Sequence, residues 1–455
     1  MNKGKSIIIV GGGVTGLTTA WRLARDGKPV ELLEASPRIG GVIQTEPVEG
    51  FLAEMGPNTL QETRAETAEL LADLGLTDKR LYAGRVSKNR YILRNGEPSP
   101  LPLSPVSLFF GNFFSVPTRL RLLAEPFIRR APADSVETMD EFVRRRLGRE
   151  ILDYAINPFV AGTFAARPED LAVRFAFPRL HQMEQQNGSL VKGAIFGKKH
   201  KPSGRRGIFS FPQGLRALPD ALAGGIGDRI RTGVRVRAIE SDGQSRWTVV
   251  AEKEGTTVRF ERDGVVLAVP PRALRDIEIN GKLAEERLFL RTRLPAPPLS
   301  VVFLGYRREQ VQHPLDGFGM LVPEKEERKI LGVLFSSSLF EGRAPEGFVS
   351  LTVFVGGSRQ PELALKSEPE REELVRNELG DLLGAKGDPC LIRHAFWPEV
   401  IPHYSTGHGG LLEDLDALEL AHPGLFIGGP VRQGVSIGDC IASGFNLAKR
   451  SQRPR

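Results

Sequence analysis

The sequence predicts an α/β fold in which one parallel-sheet domain is assembled from separated stretches of the chain and carries two insertions. Three observations support this prediction. The chain begins with an apolar strand and a glycine-rich turn, "IIIVGGGVTGLTTA", and ends with a similar unit, "GLFIGGPVRQGVSIGDCIASG". Between them, residues 265–269 form another apolar run of the kind that is buried in parallel sheets.

The first of these stretches has the spacing of a dinucleotide-binding unit. Residues 7–10 predict a buried strand, and Gly11, Gly13 and Gly16 follow as G-x-G-x-x-G at the start of a helical pattern. Such glycines permit a tight turn, close approach to a pyrophosphate and packing of the helix on the strand. A second predicted strand ends at Glu34, which is placed to bind a ribose diol and would repel a 2′-phosphate.

The residues that follow favour FAD over NAD. Arg38, Gly40 and Gly41 extend the phosphate site and resemble the Arg-x-Gly-Gly segment of flavoproteins in the amine oxidase group. Because the flavin ring of FAD lies far from its adenine, a second chain segment must hold it, and the C-terminal glycine turn is the predicted holder. Asp439 is predicted as the N-cap of the helix after this turn, and the helix dipole would stabilise the reduced flavin.

These stretches predict a Rossmann-like FAD-binding domain made of residues 1–85, 205–284 and 399–455. Residues 86–204 are predicted to form a mainly helical domain. Residues 285–398 are predicted to form an α+β domain with an antiparallel sheet that binds the substrate. We expect the two insertions to build the substrate site, because the cofactor occupies the parallel-sheet domain.

The composition restricts the classes of protein. Only two cysteines occur in 455 residues, which excludes a disulfide framework and favours a reducing, cytoplasmic compartment. The sequence has no metal-binding motif, and no metal site is predicted. The formal net charge of +7 fits an acidic substrate or an anionic membrane surface. Nucleic acid is disfavoured because basic and acidic residues alternate and no binding motif occurs.

A phenylalanine-rich stretch, "SPVSLFFGNFFSVPTRLRLLAEPFIRR", allows two interpretations. Its helices could cover an internal core, or its aromatic side chains could enter a bilayer with the arginines at the headgroups. With the second interpretation, the protein would bind peripherally to the inner face of the cell membrane. The basic, glycine-rich residues 188–207 are predicted to form a mobile loop.

Several phrases, among them "GFLAEMGPNTL", "NRYILRNGEPSPLPLSP", "FVAGTFAARPEDLAVRFAFPRL" and "WPEVIPHYSTGH", resemble the flavin-dependent protoporphyrinogen oxidases of haem biosynthesis. The resemblance spans nearly the whole chain. It implies an FAD-dependent, six-electron oxidation of protoporphyrinogen IX to protoporphyrin IX, with O2 as acceptor and H2O2 as product. Hydride would leave a saturated meso carbon for the flavin, which fits a sequence without a Ser–His–Asp or paired-carboxylate pattern.

The resemblance also assigns substrate-binding residues. Arg90 matches an arginine that binds a substrate propionate, a group that suits the guanidinium fork. Leu321, Leu334 and Phe354 match apolar residues that sandwich the macrocycle. Gly162 matches a glycine at which backbone approaches the ligand.

The predicted cofactor residues combine the two glycine turns with segments matched by the resemblance. The segment that includes Asn58 would pass the flavin ring, and Asn58 is the candidate catalytic residue because it could orient the substrate. The backbone of Val236 would meet the adenine, and Trp397 would lie near the cofactor. In chain order, the predicted cofactor-binding residues are Gly11, Gly12, Gly13, Gly16, Glu34, Ala35, Arg38, Gly40, Gly41, Val42, Gly56, Pro57, Asn58, Thr59, Val236, Trp397, Gly428, Gly429, Val435, Ser436 and Ile437.

Three alternatives stay open at this stage. Coproporphyrinogen III, which has four propionates instead of two, would agree with the basic net charge. An amine oxidase or desaturase would share the flavin fold, although the C-terminal segment does not show the aromatic cage and lysine expected of it. A non-enzymatic flavin scaffold is the third. Further expected partners are a ferrochelatase that receives the product and a second copy of the chain in a homodimer.

Overall fold

The computed structural model describes residues 5–102, 104, 107–108, 111–196, 207–243, 246–399, 401–432 and 434–452. The loop predicted at 188–207 and the phenylalanine-rich stretch lie partly outside these residues.

A five-stranded parallel sheet forms the centre of the first domain. The strand Ile7–Val10 pairs with Val30–Leu33 on one side and with Gly264–Leu267 on the other. Ile230–Arg231 and Leu425–Ile427 complete the two edges. The apolar strands are buried on both faces, as expected for a parallel sheet covered by helices. The sheet therefore draws its strands from three separated parts of the chain, as predicted.

Helices from the two ends of the chain pack together on this sheet. The first helix, Val14–Arg25, contacts the last helix, Ile437–Ser451, and also Ala217–Ile226. The first and last helices approach closely because Gly444 has no side chain. A Cβ at Gly444 would lie 2.8 Å from the carbonyl oxygen of Thr15.

An antiparallel meander of Arg235–Ser241, Trp247–Lys253 and Thr256–Arg262 adjoins the parallel sheet and shares a hydrophobic core with it. Smaller elements complete the domain: the strand pair Thr45–Val48 and Phe51–Glu54, the three-stranded sheet of Leu60–Gln61, Leu81–Tyr82 and Ile208–Ser210, the pair Glu278–Ile279 and Lys282–Leu283, and the helices Ala65–Asp73, Pro271–Arg275, Ala284–Leu288, Leu290–Arg293 and His408–Ala421.

The first insertion is mainly helical between residues 116 and 196. At its centre, the fully buried Arg146 bonds to the carboxylates of Glu125 and Glu184, each at 2.8 Å. Two buried carboxylates thus neutralise a cation that burial would otherwise penalise. Its helices are Val116–Ala124, Met139–Arg146, Arg149–Ile151, the π-helix Leu152–Ile156, Asn157–Phe164, Val173–Ala176, Pro178–Asn187 and Leu190–Phe196.

The second insertion forms most of a seven-stranded sheet. One face of this sheet packs on the helix Glu368–Leu383 in a common hydrophobic core. In spatial order the strands are Leu391–Trp397, Leu299–Arg307, Phe348–Gly356, Gly332–Leu334, Gly319–Leu321, Tyr91–Arg94 and Glu97–Pro100.

The last two strands of this sheet come from the first insertion. The boundary predicted at residue 86 assigns the hairpin Tyr91–Arg94 and Glu97–Pro100 to the helical domain, whereas Tyr91–Arg94 pairs in parallel with Gly319–Leu321. The sequence does not reveal this pairing because the partner strands lie more than two hundred residues apart.

Candidate functional site

The N-terminal glycine turn, residues 11–16, contains positions that a larger residue could not occupy. Gly11 has a φ of +110°, and a Cβ there would lie 2.5 Å from the carbonyl oxygen of Ala268. A Cβ at Gly16 would lie 1.9 Å from the carbonyl oxygen of Gly11. At Gly13, by contrast, a Cβ would meet no atom within 4 Å. Two glycines close the turn, and the third faces open space that a ligand can enter.

The first helix presents an open N-terminus at this turn. Its N-cap, Gly13, has no side chain to accept a hydrogen bond, and its first turn contains no acidic residue. The first N–H groups of a helix lack intrahelical partners, and the helix dipole adds positive potential. The turn therefore fits the pyrophosphate of a dinucleotide, which the backbone N–H groups of Gly13 and of the first helical residues would hold.

Glu34 lies beside the same turn. Its Oε2 accepts a hydrogen bond from the N–H of Gly12 at 2.6 Å, and its Oε1 accepts one from the N–H of Ser36 at 2.7 Å. These bonds fix the carboxylate, and each oxygen keeps capacity for a further donor. The arrangement fits the predicted ribose contact.

Arg38 holds the adjoining loop together. Its guanidinium donates to the carbonyl oxygen of Gly41 at 2.8 Å and to the side-chain oxygen of Gln44 at 3.1 Å. Gly40 and Gly41 have φ values of +98° and +59°, and a Cβ at Gly41 would lie 3.3 Å from the Cα of Gly13. The loop therefore packs on the N-terminal glycine turn. Direct binding of phosphate by Arg38 stays a prediction.

The segment of residues 56–59 is fixed from two sides. A Cβ at Gly56 would lie 1.9 Å from the carbonyl oxygen of Val42, and the indole N–H of Trp397 donates to the carbonyl oxygen of Met55 at 2.9 Å. Asn58 is buried, and its side-chain N–H donates to the carbonyl oxygen of Gly56 at 3.0 Å. Asn58 is thus held by its own segment, and its role in orienting the substrate stays a prediction.

A buried carboxylate ends the strand Phe51–Glu54, which leads into this segment. Glu54 is 2% exposed and accepts hydrogen bonds from the hydroxyl of Thr45 and the N–H of Leu215, both at 2.7 Å. Burial raises the pKa of Glu54 to about 7, against the opposing effects of these hydrogen bonds and of Arg343. Its protonation therefore changes near neutral pH.

The C-terminal glycine turn, which the structure describes at residues 428–432 and 434–436, lies against the first helix. A Cβ at Gly429, where φ is +82°, would lie 3.4 Å from the hydroxyl oxygen of Thr15. That hydroxyl donates to the carbonyl oxygen of Cys440 at 3.2 Å, and the N–H of Gly429 donates to the hydroxyl oxygen of Ser443 at 2.8 Å. Two turns from opposite ends of the chain are thus adjacent, as one extended cofactor requires.

The last helix is capped by a different residue from the one predicted. Ser436, and not Asp439, is the N-cap, and its hydroxyl oxygen accepts the N–H of Asp439 at 3.1 Å. Asp439 lies in the first turn, and its carboxylate forms an ion pair with Arg64 at 2.7 Å. The prediction of Asp439 as N-cap is wrong because serine and aspartate both favour that position, and here the serine comes first along the chain.

Three predicted substrate residues share one face of the seven-stranded sheet. Gly332 lies on the middle strand of three. It is paired with Leu321 on one neighbouring strand and with Phe354 on the other, and Leu334 lies two residues after Gly332 on the middle strand. Because side chains alternate between the faces of a strand, Leu321, Leu334 and Phe354 project from the same face. All three are only partly buried, whereas the residues on the other face belong to the core. We call this surface the apolar sheet face.

The helix Asn157–Phe164 covers part of the apolar sheet face. Gly162 on this helix is exposed, and a Cβ there would lie 2.4 Å from Cδ2 of Leu321. Phe354 packs beside Ala161 and Ala165. The structure therefore brings Gly162 together with the apolar residues predicted to contact the same ligand.

Arg90 directly precedes the strand Tyr91–Arg94, which pairs with the strand that carries Leu321. Its side chain is exposed, and its guanidinium carbon lies 5.1 Å from the centroid of the Phe318 ring. A guanidinium against a ring face keeps its N–H fork available for a carboxylate. Binding of a propionate by Arg90 stays a prediction.

Two contacts connect the apolar sheet face with the cofactor turns. Trp397, at the end of the edge strand, bonds to Met55 beside the 56–59 segment. Val435 of the C-terminal glycine turn packs against both the parallel-sheet core and the helical core that Leu321 also contacts. Of the other predicted cofactor residues, Ala35 and Val42 are exposed and Pro57 and Thr59 are partly buried, whereas Val236 is buried on the meander and its contact with the adenine stays a prediction.

Sequence reasoning missed Thr15, Tyr404 and His408, which contact the C-terminal glycine turn or its helix. The only signal for the last two was their presence in the phrase "WPEVIPHYSTGH". Within the part of the chain that the structure describes, no cluster of histidine, cysteine or acidic side chains could hold a metal ion. Of the helices in that part, none is long and apolar enough to cross a membrane.

Comparisons with known proteins show the family and the fold of the chain. The family model described as "Flavin containing amine oxidoreductase" matches residues 14–450. The chain is 35% identical to protoporphyrinogen oxidase 2 of Arabidopsis thaliana, over 98% of this chain and 93% of the relative. It is 26% identical to coproporphyrinogen III oxidase of Bacillus subtilis, over 97% and 96% of the two chains. The solved structure of cyclohexylamine oxidase from Brevibacterium oxydans shares the fold, with a TM-score of 0.71 and 19% identity over 99% of both chains.

Proposed function

This chain belongs to the flavin-containing amine oxidoreductase family, and from that premise we propose that it oxidises protoporphyrinogen IX to protoporphyrin IX in haem biosynthesis. It is an FAD-dependent oxidase. The observation that carries a porphyrinogen as the substrate class is the apolar sheet face, on which Leu321, Leu334 and Phe354 lie together, with Gly162 opposite Leu321. A tetrapyrrole macrocycle presents a broad apolar surface that such a face can bind. The higher identity to a protoporphyrinogen oxidase, 35% against 26% to a coproporphyrinogen III oxidase, favours protoporphyrinogen as the first choice.

The protein residues bind and orient, and the bound cofactor carries the electrons. When bound, FAD supplies an acceptor for hydride from a meso carbon of the porphyrinogen, and O2 is then reduced to H2O2. The apolar sheet face would exclude water from one side of the macrocycle. Arg90 would fix one propionate at the edge of the sheet, which sets the rotation of the ring in its plane. Asn58 would contact the substrate beside the flavin.

Coproporphyrinogen III is the second candidate substrate. The net charge of +7 favours a substrate with more carboxylates, and the Bacillus subtilis relative is named for this reaction. The apolar sheet face does not distinguish the two porphyrinogens, because they share the same macrocycle.

The test is anaerobic mixing of the purified, FAD-loaded protein with each porphyrinogen, followed by flavin absorbance. We expect protoporphyrinogen to bleach the flavin band faster than coproporphyrinogen. Faster bleaching by coproporphyrinogen would replace our first choice with the second. A flavin that stays oxidised with both would support the scaffold alternative.

The propionate contact is tested by Arg90→Ala in the same assay, under aerobic turnover. Because a hydrogen bond to a charged group contributes about 1.5–3 kcal/mol, KM should rise roughly 10- to 150-fold, with a smaller change in kcat. Arg85→Ala, which removes another exposed arginine nearby, is the matched control. An unchanged KM in Arg90→Ala would refute the contact.

We also propose that the helical insertion touches the inner face of the cell membrane. Val116, Leu120, Leu123 and Phe127 are 60%, 61%, 59% and 88% exposed and recur at helical spacing. The exposed Arg129 and Arg130 follow them and suit anionic headgroups. Phe127→Ser should reduce sedimentation with anionic vesicles, whereas Leu420→Ser, at an isolated site that is 84% exposed, should not. A wild-type protein that stays in the supernatant would refute the proposal.

Product handover to a ferrochelatase and a homodimer stay predictions from the sequence.

A further inference from the structure

Residues 403–408 form a segment between the helical insertion and the C-terminal glycine turn, and its ring side chains are buried although Thr406 and Gly407 are exposed. Its three ring side chains, His403, Tyr404 and His408, are each 1% exposed. None of them belongs to the predicted substrate or cofactor sets. Polar rings are seldom buried this deeply unless their polar atoms have partners, and the partners here lie on two different parts of the molecule.

On one side, the segment is bonded to the helical insertion. The Nε2 atom of His403 lies 3.1 Å from the carbonyl oxygen of Phe164, at the end of the helix that carries Gly162. The backbone carbonyl oxygen of Tyr404 accepts the N–H of Ala172 at 2.7 Å. The segment is therefore held by the same insertion that covers the apolar sheet face.

On the other side, the segment donates to the C-terminal glycine turn. The hydroxyl of Tyr404 donates to the carbonyl oxygen of Pro430 at 2.8 Å, and Nε2 of His408 lies 2.9 Å from the carbonyl oxygen of Arg432. A carbonyl can only accept, so His408 must carry its proton on Nε2. Burial lowers the pKa of His408, which keeps the ring neutral with that single proton.

These two bonds control the shape of the turn. A peptide group is planar, and fixing the carbonyl oxygens of Pro430 and Arg432 fixes the planes of the peptides to which they belong. Gly429, which precedes Pro430, has a φ of +82° and the wide backbone freedom of glycine, and these two bonds act together with its own N–H bond to Ser443 in holding the turn. Both donors are buried and both bonds are partly buried, so loss of a donor would take from a partly buried carbonyl the partner that fixes its direction.

We propose that Tyr404 and His408 are positioning residues that hold the C-terminal glycine turn in the conformation that receives FAD. They act through the backbone of Pro430 and Arg432 and do not themselves touch the substrate. This role depends only on FAD binding and would stand whichever porphyrinogen, or other substrate, is oxidised.

The test compares FAD affinity of apo-protein variants by flavin fluorescence titration, with thermal unfolding of the same apo-proteins. Tyr404→Phe removes one hydroxyl and should weaken FAD binding roughly 3- to 10-fold, the effect of one lost hydrogen bond. Tyr306→Phe is the control, because Tyr306 is equally buried, at 1% exposure, in the core on the other face of the seven-stranded sheet. It should leave FAD affinity unchanged.

His408 offers a matched pair of variants. His408→Phe keeps a ring but loses the donor, and should also weaken FAD binding. In His408→Gln, the side-chain amide nitrogen can occupy the place of Nε2, and affinity should return to within about twofold of the wild type. The visible bands of the bound flavin should shift in Tyr404→Phe and His408→Phe but not in His408→Gln. The proposal is overturned if Tyr404→Phe only lowers apo-protein stability with FAD affinity intact, or if His408→Gln binds FAD no better than His408→Phe.

Discussion

The two glycine turns lead into helices of similar length, Val14–Arg25 and Ile437–Ser451, but the helices have different N-termini. The first has a glycine as N-cap and no acidic residue in its first turn. The last has the serine cap Ser436 and carries Asp439 in its first turn, paired with Arg64 at 2.7 Å. In the first helix, the N–H groups and the dipole of the N-terminus stay available to a ligand. In the last helix, Ser436 accepts one of the free N–H groups, and the carboxylate of Asp439 offsets part of the dipole.

Because of this difference, we expect the two helix N-termini to hold the cofactor in different ways. An open helix N-terminus attracts an anion, which suits the pyrophosphate end of FAD. At a capped N-terminus that already has a carboxylate, a ligand gains less from the dipole. The C-terminal glycine turn should therefore act through its shape, which is fixed by contacts with Thr15, Tyr404 and His408.

The largest expected effect is at Gly13. Gly13→Val should abolish FAD retention but leave the apo-protein folded, because the backbone there (φ −76°, ψ 177°) suits any residue and a Cβ meets no atom within 4 Å. The added side chain would occupy the space that the pyrophosphate needs. Purification should give a colourless protein that unfolds cooperatively. Gly16→Val, where a Cβ would lie 1.9 Å from a carbonyl oxygen, should instead fail to fold. If the purified Gly13→Val protein were yellow, and therefore still held FAD, the proposed difference between the N-termini of the first and last helices would be refuted.

Two carboxylates of the cofactor domain also differ, since Glu54 is 2% exposed and the side chain of Asp439 is 22% exposed. The pKa of Glu54 is raised to about 7, above the ordinary value of 4.5, and the folded state binds its proton more tightly than the unfolded state. The free energy of unfolding should therefore fall as pH rises from about 4.5 to 7, by roughly 3 kcal/mol, and then level off. Glu54→Gln should remove this slope, and the exposed Glu341→Gln should keep it. A slope that persists in Glu54→Gln would assign it to another group.

A smaller effect is expected at Ser436. Ser436→Ala should cost about 1 kcal/mol of stability in denaturant unfolding, the usual value of an N-cap, and should weaken FAD binding far less than Gly13→Val does. Ser367→Ala, which removes the N-cap of the distant helix Glu368–Leu383, is the matched control and should give a similar loss. If Ser436→Ala instead lost FAD as Gly13→Val does, the two helix ends would be equivalent and our comparison would be wrong.

Local patterns were sufficient to predict the parallel sheet and both glycine turns, because β-branched runs and glycine spacing act over a few residues. Leu321, Leu334 and Phe354 were grouped by the family resemblance and not by a local pattern. The alternation of side chains along paired strands explains why the three residues share a face. Prediction failed where distant pairings decide the structure. Tyr91–Arg94 joins the seven-stranded sheet through a strand that begins at Gly319. The partners of Tyr404 and His408 are backbone carbonyls, which no sequence pattern identifies.

The smallest effect, and the sharpest test of the comparison, is at Asp439. Asp439→Asn removes the carboxylate from the first turn of the last helix and leaves Arg64 unpaired, and both changes make that helix end more positive. If the end faces the flavin, the reduced, more negative flavin is stabilised by about 0.3–1 kcal/mol, and the midpoint potential should rise by roughly 6–20 mV. Asp73→Asn, which breaks the ion pair of Asp73 with Arg25 elsewhere, should leave the potential unchanged. Because exposed charges are screened by salt, the rise should shrink at high ionic strength. An unchanged potential in Asp439→Asn would mean that the last helix contributes no electrostatic stabilisation, and that the C-terminal turn holds the flavin through backbone shape alone.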